Sequence, residues 1–399
     1  MNLIIFIIFS PFVFSQVLTI RDIIKMAENY SPQIRGESYG LKMSEAQLRQ
    51  SRIFSNPIFT LQTGSIKSST QSGAVADLSV NQPLPWPGKR GARVLAQKFI
   101  LKLSELSLEE ARLEVSHRVY VLSSELAALQ ELESHYAERK RRFGLIEKSL
   151  KSRPQASPKQ KADRDLIESQ INLMEKGMID LVARKESLLW ELRTLTNGTF
   201  DRVLFPWDSL PAALNKDQFL TLIDTSPNGK RMKIQRDLSE NKIEQARLEA
   251  RPDFMVGVNY RQENIAPVNH FYHGQVSVVI PIIDYGQHSV EGARAEKMRT
   301  NANHHFERNH MTSLIHQYFA EYEASMKSLE VFKLKNLRQV ENKFYDAEKS
   351  FRKGFIDALT FLQVDSQVHE NIDNIYLSRV EYVIALSKLN LLVGREPQI

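Results

Sequence analysis

Hydrophobic and polar residues alternate in four segments of the chain, and this two-residue period predicts half-buried β-strands. In the third segment Phe254, Val256 and Val258 would point to one face, opposite Met255 and Asn259. Each segment has about ten residues, the length of a tilted strand that crosses a membrane, but a soluble sheet with one wet face gives the same pattern. The predicted strands span residues 57–66, 74–84, 253–262 and 270–280.

Heptad-like spacings of hydrophobic residues follow each strand pair and predict long coiled-coil helices. Leu122, Leu126 and Leu129 show this spacing in the first set. We predict one helical hairpin at about 88–197 and a second at about 286–394. An arm of about 60 residues would reach roughly 90 Å, which is far longer than a globular domain of this size needs.

Proline and glycine interrupt the chain between each strand pair and the helix that follows. Proline ends a strand because it has no N–H group, and glycine permits the turn into the helix. We therefore predict two strand-to-helix joints, formed by Pro83, Pro85, Pro87, Gly88, Pro281 and Gly286.

The same order of elements occurs twice because the chain contains an internal repeat. Ser31 aligns with Ser226 at an offset of 195 residues, and Pro83 aligns with Pro281 at an offset of 198. This unit is far longer than the ~20–50 residues of a solenoid repeat. We predict two structural halves packed as one domain, at 16–205 and 206–399.

Four strands are too few to close a membrane barrel, since the smallest spanning barrels have about eight. An open four-stranded sheet in lipid would leave unpaired backbone groups at its edges. If these strands lie in a membrane, several copies of the chain must each contribute four. Three copies would give twelve strands, an even number in the known range.

Composition excludes several classes of protein. With 399 residues, 42% hydrophobic and 25% charged, the chain is too polar for a polytopic helical membrane protein. The net charge of +6 is spread over helices of mixed charge, which indicates solvated helical surfaces and no nucleic-acid partner. The sequence has no cysteine, which excludes disulfides, thiolate metal sites and cysteine nucleophiles.

The first residues, MNLIIFIIFSPFVFSQ, predict a secretory signal peptide at 1–15. An apolar core from Leu3 to Phe14 precedes the small Ser15. The segment lacks a basic residue near Met1, and a buried first strand or helix is the alternative. A signal peptide would direct the mature protein out of the cytoplasm.

Motifs of catalysis are absent from the sequence, which has no P-loop, no GxSxG and no HExxH. His270 and His273 lie at a loop-to-strand junction, and His304, His305 and His310 lie on a predicted helix without a shared metal-binding face. We therefore predict no enzyme activity, no metal site and no cofactor.

Four segments of the chain resemble parts of the TolC-type outer-membrane efflux proteins. LTIRDIIKMAENYSPQI is similar to the N-terminal helix of that family, and FRKGFIDALTFLQVDSQ to the end and inner helix of its second hairpin. SKLNLLVG resembles its closing helix, and NQPLPWPGKR resembles its strand-to-helix joint, above all in the heavy-metal (CzcC/CusC-like) branch. With the order of elements, the resemblance covers nearly the whole mature chain.

This resemblance implies a mainly α-helical fold with a transmembrane β part. The expected assembly is a homotrimer, in which four strands from each copy form a twelve-stranded barrel in the outer membrane of a Gram-negative-type bacterium. The barrel would continue into a periplasmic α-helical tunnel. The implied function is a passive exit duct in a tripartite efflux or secretion system, with a periplasmic adaptor and an inner-membrane pump of the RND or ABC type as partners.

The ends of the two helical hairpins contact the adaptor in that family. The resemblance places these contacts at Ala156, Ser157, Pro158, Arg352, Lys353, Gly354, Phe355 and Ile356. The family often closes its tunnel with a ring of carboxylates shortly after this glycine, but here Thr360 and Gln363 occupy those places. Asp357 and Asp365 are the nearest acids, and a constriction built from either one is a hypothesis.

The alternative is a periplasmic coiled-coil adaptor or scaffold protein without a pore. Adaptors usually carry one coiled-coil hairpin flanked by small β-domains, whereas this chain predicts two hairpins and four strands. The sequence leaves the cargo open among metal cations, drugs and organic solvents.

Overall fold

The computed structural model describes residues 17–67, 72–152, 157–213, 215–283, 285–334 and 337–398. The predicted signal peptide and Ala156 lie outside these residues. The chain forms two compact units. Unit 1 comprises the described residues within Met1–Arg35, Glu110–Ser226 and Met311–Ile399, and unit 2 those within Gly36–Glu109 and Pro227–His310.

Each unit takes segments from both sequence repeats. The compact units are therefore composed differently from the two sequence halves, and the division at residue 205 stays a prediction. The reason lies in the strands, because the strand pairs of both repeats join in a single sheet within unit 2.

Unit 1 is helical apart from a small parallel pair of strands, β1 (Val17–Thr19) and β4 (Arg202–Leu204). Thr19 also begins α1 through a capping box with Asp22, which satisfies the first free N–H groups of that helix. The helices that contribute to unit 1 are α1 (Ile20–Tyr30), α3 (Lys89–Lys151), α4 (Pro158–Thr196), α5 (Lys216–Leu222), α7 (Gln287–Leu334), α8 (Leu337–Arg352) and α9 (Ala358–Leu392).

A hydrophobic core joins the helices of both hairpins in unit 1. Phe143 and Ile167 come from the first hairpin, and Phe344, Phe351 and Phe361 come from the second. The rings of Phe351 and Phe361 are stacked with centroids 5.1 Å apart. Burial of such aromatic side chains is the main stabilising contribution to a coiled-coil bundle.

Unit 2 contains an antiparallel sheet of four strands in the order β2-β3-β5-β6. The bounds are within two residues of the predicted ones: β2 is Ile58–Lys67, β3 is Ser72–Leu84, β5 is Asp253–Asn264 and β6 is Asn269–Val279. The central pair, β3 and β5, connects the first repeat to the second. Among the described residues, the outer strands β2 and β6 each have one edge without a partner strand.

The register of the sheet collects apolar side chains on one face. Leu61 pairs with Leu78, and Val80 lies between Phe59 and Val258. Residues directly opposite each other point to the same side, so these side chains form a continuous band. Four of them are exposed in the single chain, and Val80 is half-buried. The opposite face carries polar residues such as Asp77, Ser79, Asn259, Arg261, His273 and Gln275.

Two helices precede the strands in matching positions: α2 (Pro32–Ser51) precedes β2, and α6 (Pro227–Glu249) precedes β5. Proline begins each helix, where its missing N–H group would have no partner in any case. The Ser-Pro steps therefore separate α2 and α6 from the shorter helical segments before them.

Candidate functional site

The first strand-to-helix joint lies between β3 and α3. Gly88 has a φ angle of +98°, which residues with a side chain rarely adopt. The backbone N–H of Trp86 donates to Asp253 Oδ1 at 2.9 Å, and the Trp86 ring stacks on Phe254 with centroids 5.4 Å apart. The joint of the first repeat is thus fixed to the start of β5. It consists of Pro85, Trp86, Pro87 and Gly88.

Pro83, one of the predicted joint residues, lies near the end of β3, opposite Met255. The pairing of β3 with β2 ends at Asn81. Beyond that residue β3 has a partner strand on one side only. A residue without an N–H group is tolerated at such an edge.

A buried lysine holds this joint by charge. Lys89 is only 2% exposed, and its Nζ lies 2.9 Å from Asp253 Oδ1 and 3.8 Å from Glu249 Oε2. Arg93 adds a second ion pair to Glu249, with its Nε 2.8 Å from Oε1. Buried lysines need such partners because removal of the ammonium from water is costly.

The second joint has the same backbone form but different surroundings. Pro281 follows β6, and Gly286 has a φ angle of +75° directly before α7. A Cβ atom at Gly286 would lie 2.7 Å from Ala250 Cβ, so glycine is required by contact as well as by conformation. The side chains between Pro281 and Gly286 include three large exposed ones: Ile282, Ile283 and Tyr285.

At the end of the first helical hairpin, a capping box begins α4. Ser157 Oγ accepts from the Gln160 N–H at 3.3 Å, and Gln160 Oε1 accepts from the Ser157 N–H at 3.0 Å. Pro158 occupies the first turn, as is common at helix starts. Both predicted contact residues therefore also have a structural role in starting the helix.

The end of the second hairpin is a tight turn between α8 and α9. Gly354 has a φ angle of +78°, and its N–H donates to Phe351 O at 2.9 Å. The N–H of Phe355 donates to Ser350 O at 2.9 Å, which completes a Schellman-type end. Phe355 is 78% exposed. The turn brings together the predicted contact residues Arg352, Lys353, Gly354, Phe355 and Ile356.

Asp357 begins α9 as its N-cap. Its carboxylate accepts from the Thr360 N–H at 2.9 Å. This hydrogen bond to the Thr360 backbone holds the pKa of Asp357 below its usual range. The residue is therefore charged and partly exposed, which leaves it available at the surface of the hairpin end.

The two hairpin ends contact each other. The N–H of Ala358 donates to Asp163 Oδ1 at 3.3 Å, which joins the start of α9 to α4. Ala358 is fully buried in the core that also holds Ile167 and Phe361. Both ends therefore belong to one packed surface in unit 1.

Asp365, the second candidate for a constriction, is buried. The side chain is 0% exposed and forms an ion pair with Arg139, which is 7% exposed. Arg139 Nε lies 3.3 Å from Asp365 Oδ1, and the second nitrogen contacts Oδ2. In the single chain Asp365 connects α9 to α3 and is buried, and a constriction at this position stays a hypothesis.

Two histidines extend this buried cluster. His135 Nε2 and His369 Nδ1 lie 2.6 Å apart, a hydrogen bond that holds one proton between the two rings. His369 Nε2 lies 2.9 Å from Asp365 Oδ1. Burial, followed by the nearby His369 and Arg139, lowers the pKa of His135 to about 4. The His135 ring is therefore neutral at pH 7.

A tyrosine hydrogen bond makes a second polar contact between the same helices. The hydroxyl of Tyr136 donates to Asp373 Oδ2 at 3.1 Å. Burial raises the pKa of the Asp373 carboxyl. Polar contacts thus recur at intervals between α3 and α9.

The described part of the chain contains no group of three or more histidine, cysteine, aspartate or glutamate side chains placed to hold a metal ion. His270 Nδ1 instead lies 2.8 Å from the Tyr260 hydroxyl. None of the helices described combines the length and the hydropathy needed to cross a bilayer.

No family model and no curated protein sequence matches the chain. Several solved structures, however, align with it. The open-state MtrE outer-membrane channel of Neisseria gonorrhoeae aligns with 95% of this chain and 91% of its own, at a TM-score of 0.78 and 13% identity. A membrane protein from Pseudomonas aeruginosa aligns with 94% of this chain and 92% of its own, at a TM-score of 0.78 and 14% identity.

CusC is a third similar structure, described for its transmembrane channel formation. It covers 94% of this chain and 92% of its own, at a TM-score of 0.76 and 11% identity. The chain has the TolC-type fold. At these identities the likeness is one of fold, and it confirms the resemblance read from the sequence. The similarity to CusC does not favour the heavy-metal branch, because the chain is also similar to MtrE, which has the same TolC-type fold.

The sequence did not indicate the buried cluster around Asp365. It offers Asp365 as a possible constriction residue because this acid follows the hairpin turn at a short distance. Its partner Arg139 is 226 positions away in sequence, so no local pattern connects them. A weak signal was available, since His369 lies four residues after Asp365, on the same helical face.

Proposed function

We propose that the protein is the outer-membrane exit duct of a tripartite efflux or secretion system. The observation that carries this proposal is the TolC-type fold over 94–95% of the chain, shared with proteins described as outer-membrane channels. A passive duct needs no catalytic group. Its energy would come from an inner-membrane pump of the RND or ABC type, reached through a periplasmic adaptor.

The sheet of unit 2 supports a membrane location. Its apolar face, which includes Leu61, Val258 and Val276, is exposed over a continuous band, and such bands are rare on soluble monomers. Lipid would cover this face, and the polar face would line water. Three copies with four strands each would form a closed barrel of twelve strands, which removes the open edges.

The hairpin ends of unit 1 support an adaptor contact. Phe355 and Leu359 are exposed apolar side chains at the second end, beside the positive charges of Arg352 and Lys353. The first end adds Ser157 and Pro158. A small apolar patch with basic neighbours is typical of a transient protein contact. Asp357 at the same end is the more exposed of the two candidates for a constriction.

Fractionation and conductance test the proposal together. The full chain, expressed in a Gram-negative host, should sediment with the outer membrane as a trimer and give stepwise ion conductance in planar bilayers. Val258→Arg on the apolar face should reduce membrane assembly, because arginine at the bilayer centre costs about 2–4 kcal/mol. Asn259→Arg on the polar face is the matched control and should assemble. A soluble monomer without conductance would contradict the proposal.

The cargo is addressed by a separate experiment. A deletion strain should become sensitive to the compounds that the system exports, and a panel of metal cations, drugs and organic solvents would reveal the class. Complementation with the intact gene should restore resistance. A strain with unchanged sensitivity to every compound, in a host without a second duct, would exclude an efflux role.

A further inference from the structure

Charged side chains are few in the two strand pairs of unit 2. A quarter of the whole chain is charged, but residues 57–84 and 253–280 contain only five Lys, Arg, Asp and Glu residues together. Asp253 belongs to the first joint, where it pairs with Lys89. The other four charged residues are Lys67, Asp77, Arg261 and Glu263. These four determine the charge of the sheet away from the joints.

Three of the four lie together on the polar face. Asp77 is directly opposite Arg261 in the pairing of β3 with β5. Glu263 follows Arg261 by two residues along β5 and therefore points to the same side. Arg261 Nε lies 2.9 Å from Glu263 Oε1 and 3.9 Å from Asp77 Oδ1. We call these three residues the polar-face triad.

The polar-face triad has one carboxylate in excess. A single guanidinium, that of Arg261, lies beside the carboxylates of Asp77 and Glu263. Opposite charges this close to each other cancel at larger distances, so the triad acts there as one negative charge. A cross-strand pair that only stabilised the junction of β3 with β5 would need one carboxylate. The second carboxylate therefore needs another explanation.

Lys67 does not supply the missing positive charge. It pairs with Ser72 at the end of β2 and alternates in step with Leu61, so its side chain leaves the sheet on the apolar face. From the triad towards the joints, the polar face continues with neutral side chains. These include Ser79, Asn81, Asn259, His273 and Gln275.

The polar-face triad lies towards the hairpin loops, at the end of the sheet away from the joints. β5 ends at Asn264, one residue after Glu263. The loop sequences are SSTQ at 68–71 and IAPV at 265–268, and neither contains a charged residue. Of the described strand residues, the triad thus carries the only Lys, Arg, Asp or Glu charges on the polar face in this half of the sheet.

We infer that the polar-face triad makes the outer mouth of the duct prefer cations over anions, and that Arg261 limits the strength of this preference. The inference rests on the proposed function, in which the polar face lines water. It adds the class of solute that passes most readily. Three copies would place three excess negative charges around one ring, and rings of charged side chains select ions by sign.

The width of the mouth determines how strong the preference can be. Twelve strands spaced ~4.8 Å apart and tilted by about 40° give a circumference of roughly 75 Å and a radius of roughly 12 Å. The Debye length is about 10 Å at 0.1 M salt and about 3 Å at 1 M. The field of the ring therefore crosses most of the opening at 0.1 M but stays close to the wall at 1 M. We expect a moderate preference that is lost at high salt.

Reversal potentials of the full-length trimer in planar bilayers test the inference, with a gradient of KCl around 0.1 M. Glu263→Gln and Asp77→Asn each keep one ion pair with Arg261 and remove the excess charge. Each should lower the permeability ratio of K⁺ to Cl⁻ by about a factor of two. Arg261→Gln doubles the excess charge and should raise the ratio by a similar factor. The two neutralising variants are independent, so either one is informative if the other does not assemble.

Lys67→Gln is the matched control. It removes one positive charge, as Arg261→Gln does, and lies at the same end of the sheet but on the opposite face. Its permeability ratio should equal that of the unmodified chain, and at 1 M KCl the ratios of all variants should converge. An equal shift in Lys67→Gln and Arg261→Gln would overturn the inference. An unchanged ratio in the variants of all three triad residues would overturn it as well.

Chemical restoration of the charge is a second test, because the sequence has no cysteine. Glu263→Cys removes the carboxylate and provides a single thiol on the polar face. A methanethiosulfonate reagent that carries a sulfonate should restore the cation preference, and one that carries a trimethylammonium group should lower it further. The same reagents on Lys67→Cys should have no effect. A labelled Glu263→Cys trimer with the same ratio for both reagents would contradict the inference.

The outcomes separate the inference from the proposed function. A conducting outer-membrane trimer whose permeability ratio does not respond to the triad would refute the inference and leave the duct intact. A protein that forms no conducting trimer would refute both. The same shifts in an Asp357→Asn background would show that the triad acts independently of the hairpin end, and their loss there would assign the preference to Asp357.

Discussion

Arg139 and Asp365 form an ion pair in the interior of unit 1, where α3 meets α9. Both side chains are buried, and removal of one partner leaves the other charge without compensation. We expect Asp365→Asn to lower the free energy of unfolding by about 3–5 kcal/mol. Urea unfolding of the purified protein in detergent, followed by tryptophan fluorescence, measures this loss.

The double variant Arg139→Met with Asp365→Leu tests the reason for that loss. It removes both charges, so its stability should be close to that of the unmodified chain. Asp180→Asn is the control, since Asp180 pairs with Lys176 at an exposed position and should change stability by less than about 1 kcal/mol. Equal losses in the single and double variants would show that packing, and not charge, is decisive.

The pair of His135 and His369 predicts a dependence of stability on pH. The pKa of His135 is lowered to about 4 in the folded chain, against about 6.5 when unfolded. Between these values the unfolded state binds more protons, so stability is full above pH 6.5 and falls as the pH drops towards 4. Thermal unfolding at pH 7 and pH 5 should therefore show a lower midpoint at pH 5.

His135→Gln isolates this contribution from other titrating groups. The variant cannot gain a proton, so its midpoint should fall less between pH 7 and pH 5 than that of the unmodified chain. The raised pKa of Asp373 acts in the opposite direction and is present in both proteins. An equal fall in both proteins would assign the pH dependence to another group.

Gly354 and Gly144 form a matched pair for backbone conformation. A Cβ atom would meet no neighbour within 4 Å at either position, but only Gly354 has a positive φ angle. Gly354→Ala should destabilise by about 1–2 kcal/mol through left-handed backbone strain. Gly144→Ala lies within α3 and should stabilise by about 0.5–1 kcal/mol. Similar effects at both sites would contradict the turn geometry.

Asp357 both caps the start of α9 and carries a negative charge, and two substitutions separate these two roles. Asp357→Asn keeps a good N-cap and removes the charge, so stability should be unchanged while the cation preference of the channel falls. Asp357→Ala should also lose about 1 kcal/mol of stability. Reversal potentials in planar bilayers with a salt gradient measure the preference. An unchanged reversal potential in Asp357→Asn would exclude a constriction at this residue.

Phe355 tests the adaptor contact at the end of the second hairpin. Because the side chain is exposed, Phe355→Ser should leave stability within about 0.5 kcal/mol. It should nevertheless weaken export, measured as increased sensitivity of cells to the identified cargo. Phe355→Leu keeps an apolar side chain and should retain export. Full export by the serine variant would place the contact elsewhere.

Much of the fold was predictable because its signals are local. Strand alternation gave bounds within two residues, and each predicted joint glycine has a positive φ angle. The repeat also indicated that strands and helices occur in matching sets. These features depend on the periodicity of hydrophobic residues and on the backbone preferences of glycine and proline. Both can be seen directly in a single sequence.

The compact units and the interior of the helical bundle were not predictable in the same way. The division of both repeats between two units follows from the pairing of β3 with β5, which joins distant segments. The burial of Asp365 depends on Arg139, and that of Lys89 on Asp253. A charged residue in a heptad pattern is normally solvated, so only its partner across the structure shows that it is internal.

The unpaired edges of β2 and β6 also affect a newly made chain before it has assembled with other copies. Each newly made polypeptide carries two strand edges with unpaired backbone groups, and no strand among the described residues covers them. Such a chain will aggregate unless a chaperone binds it or it is quickly incorporated into an assembly. Accumulation of unassembled chains should therefore be toxic, and the ratio of synthesis to assembly should limit how much of the protein a cell can hold.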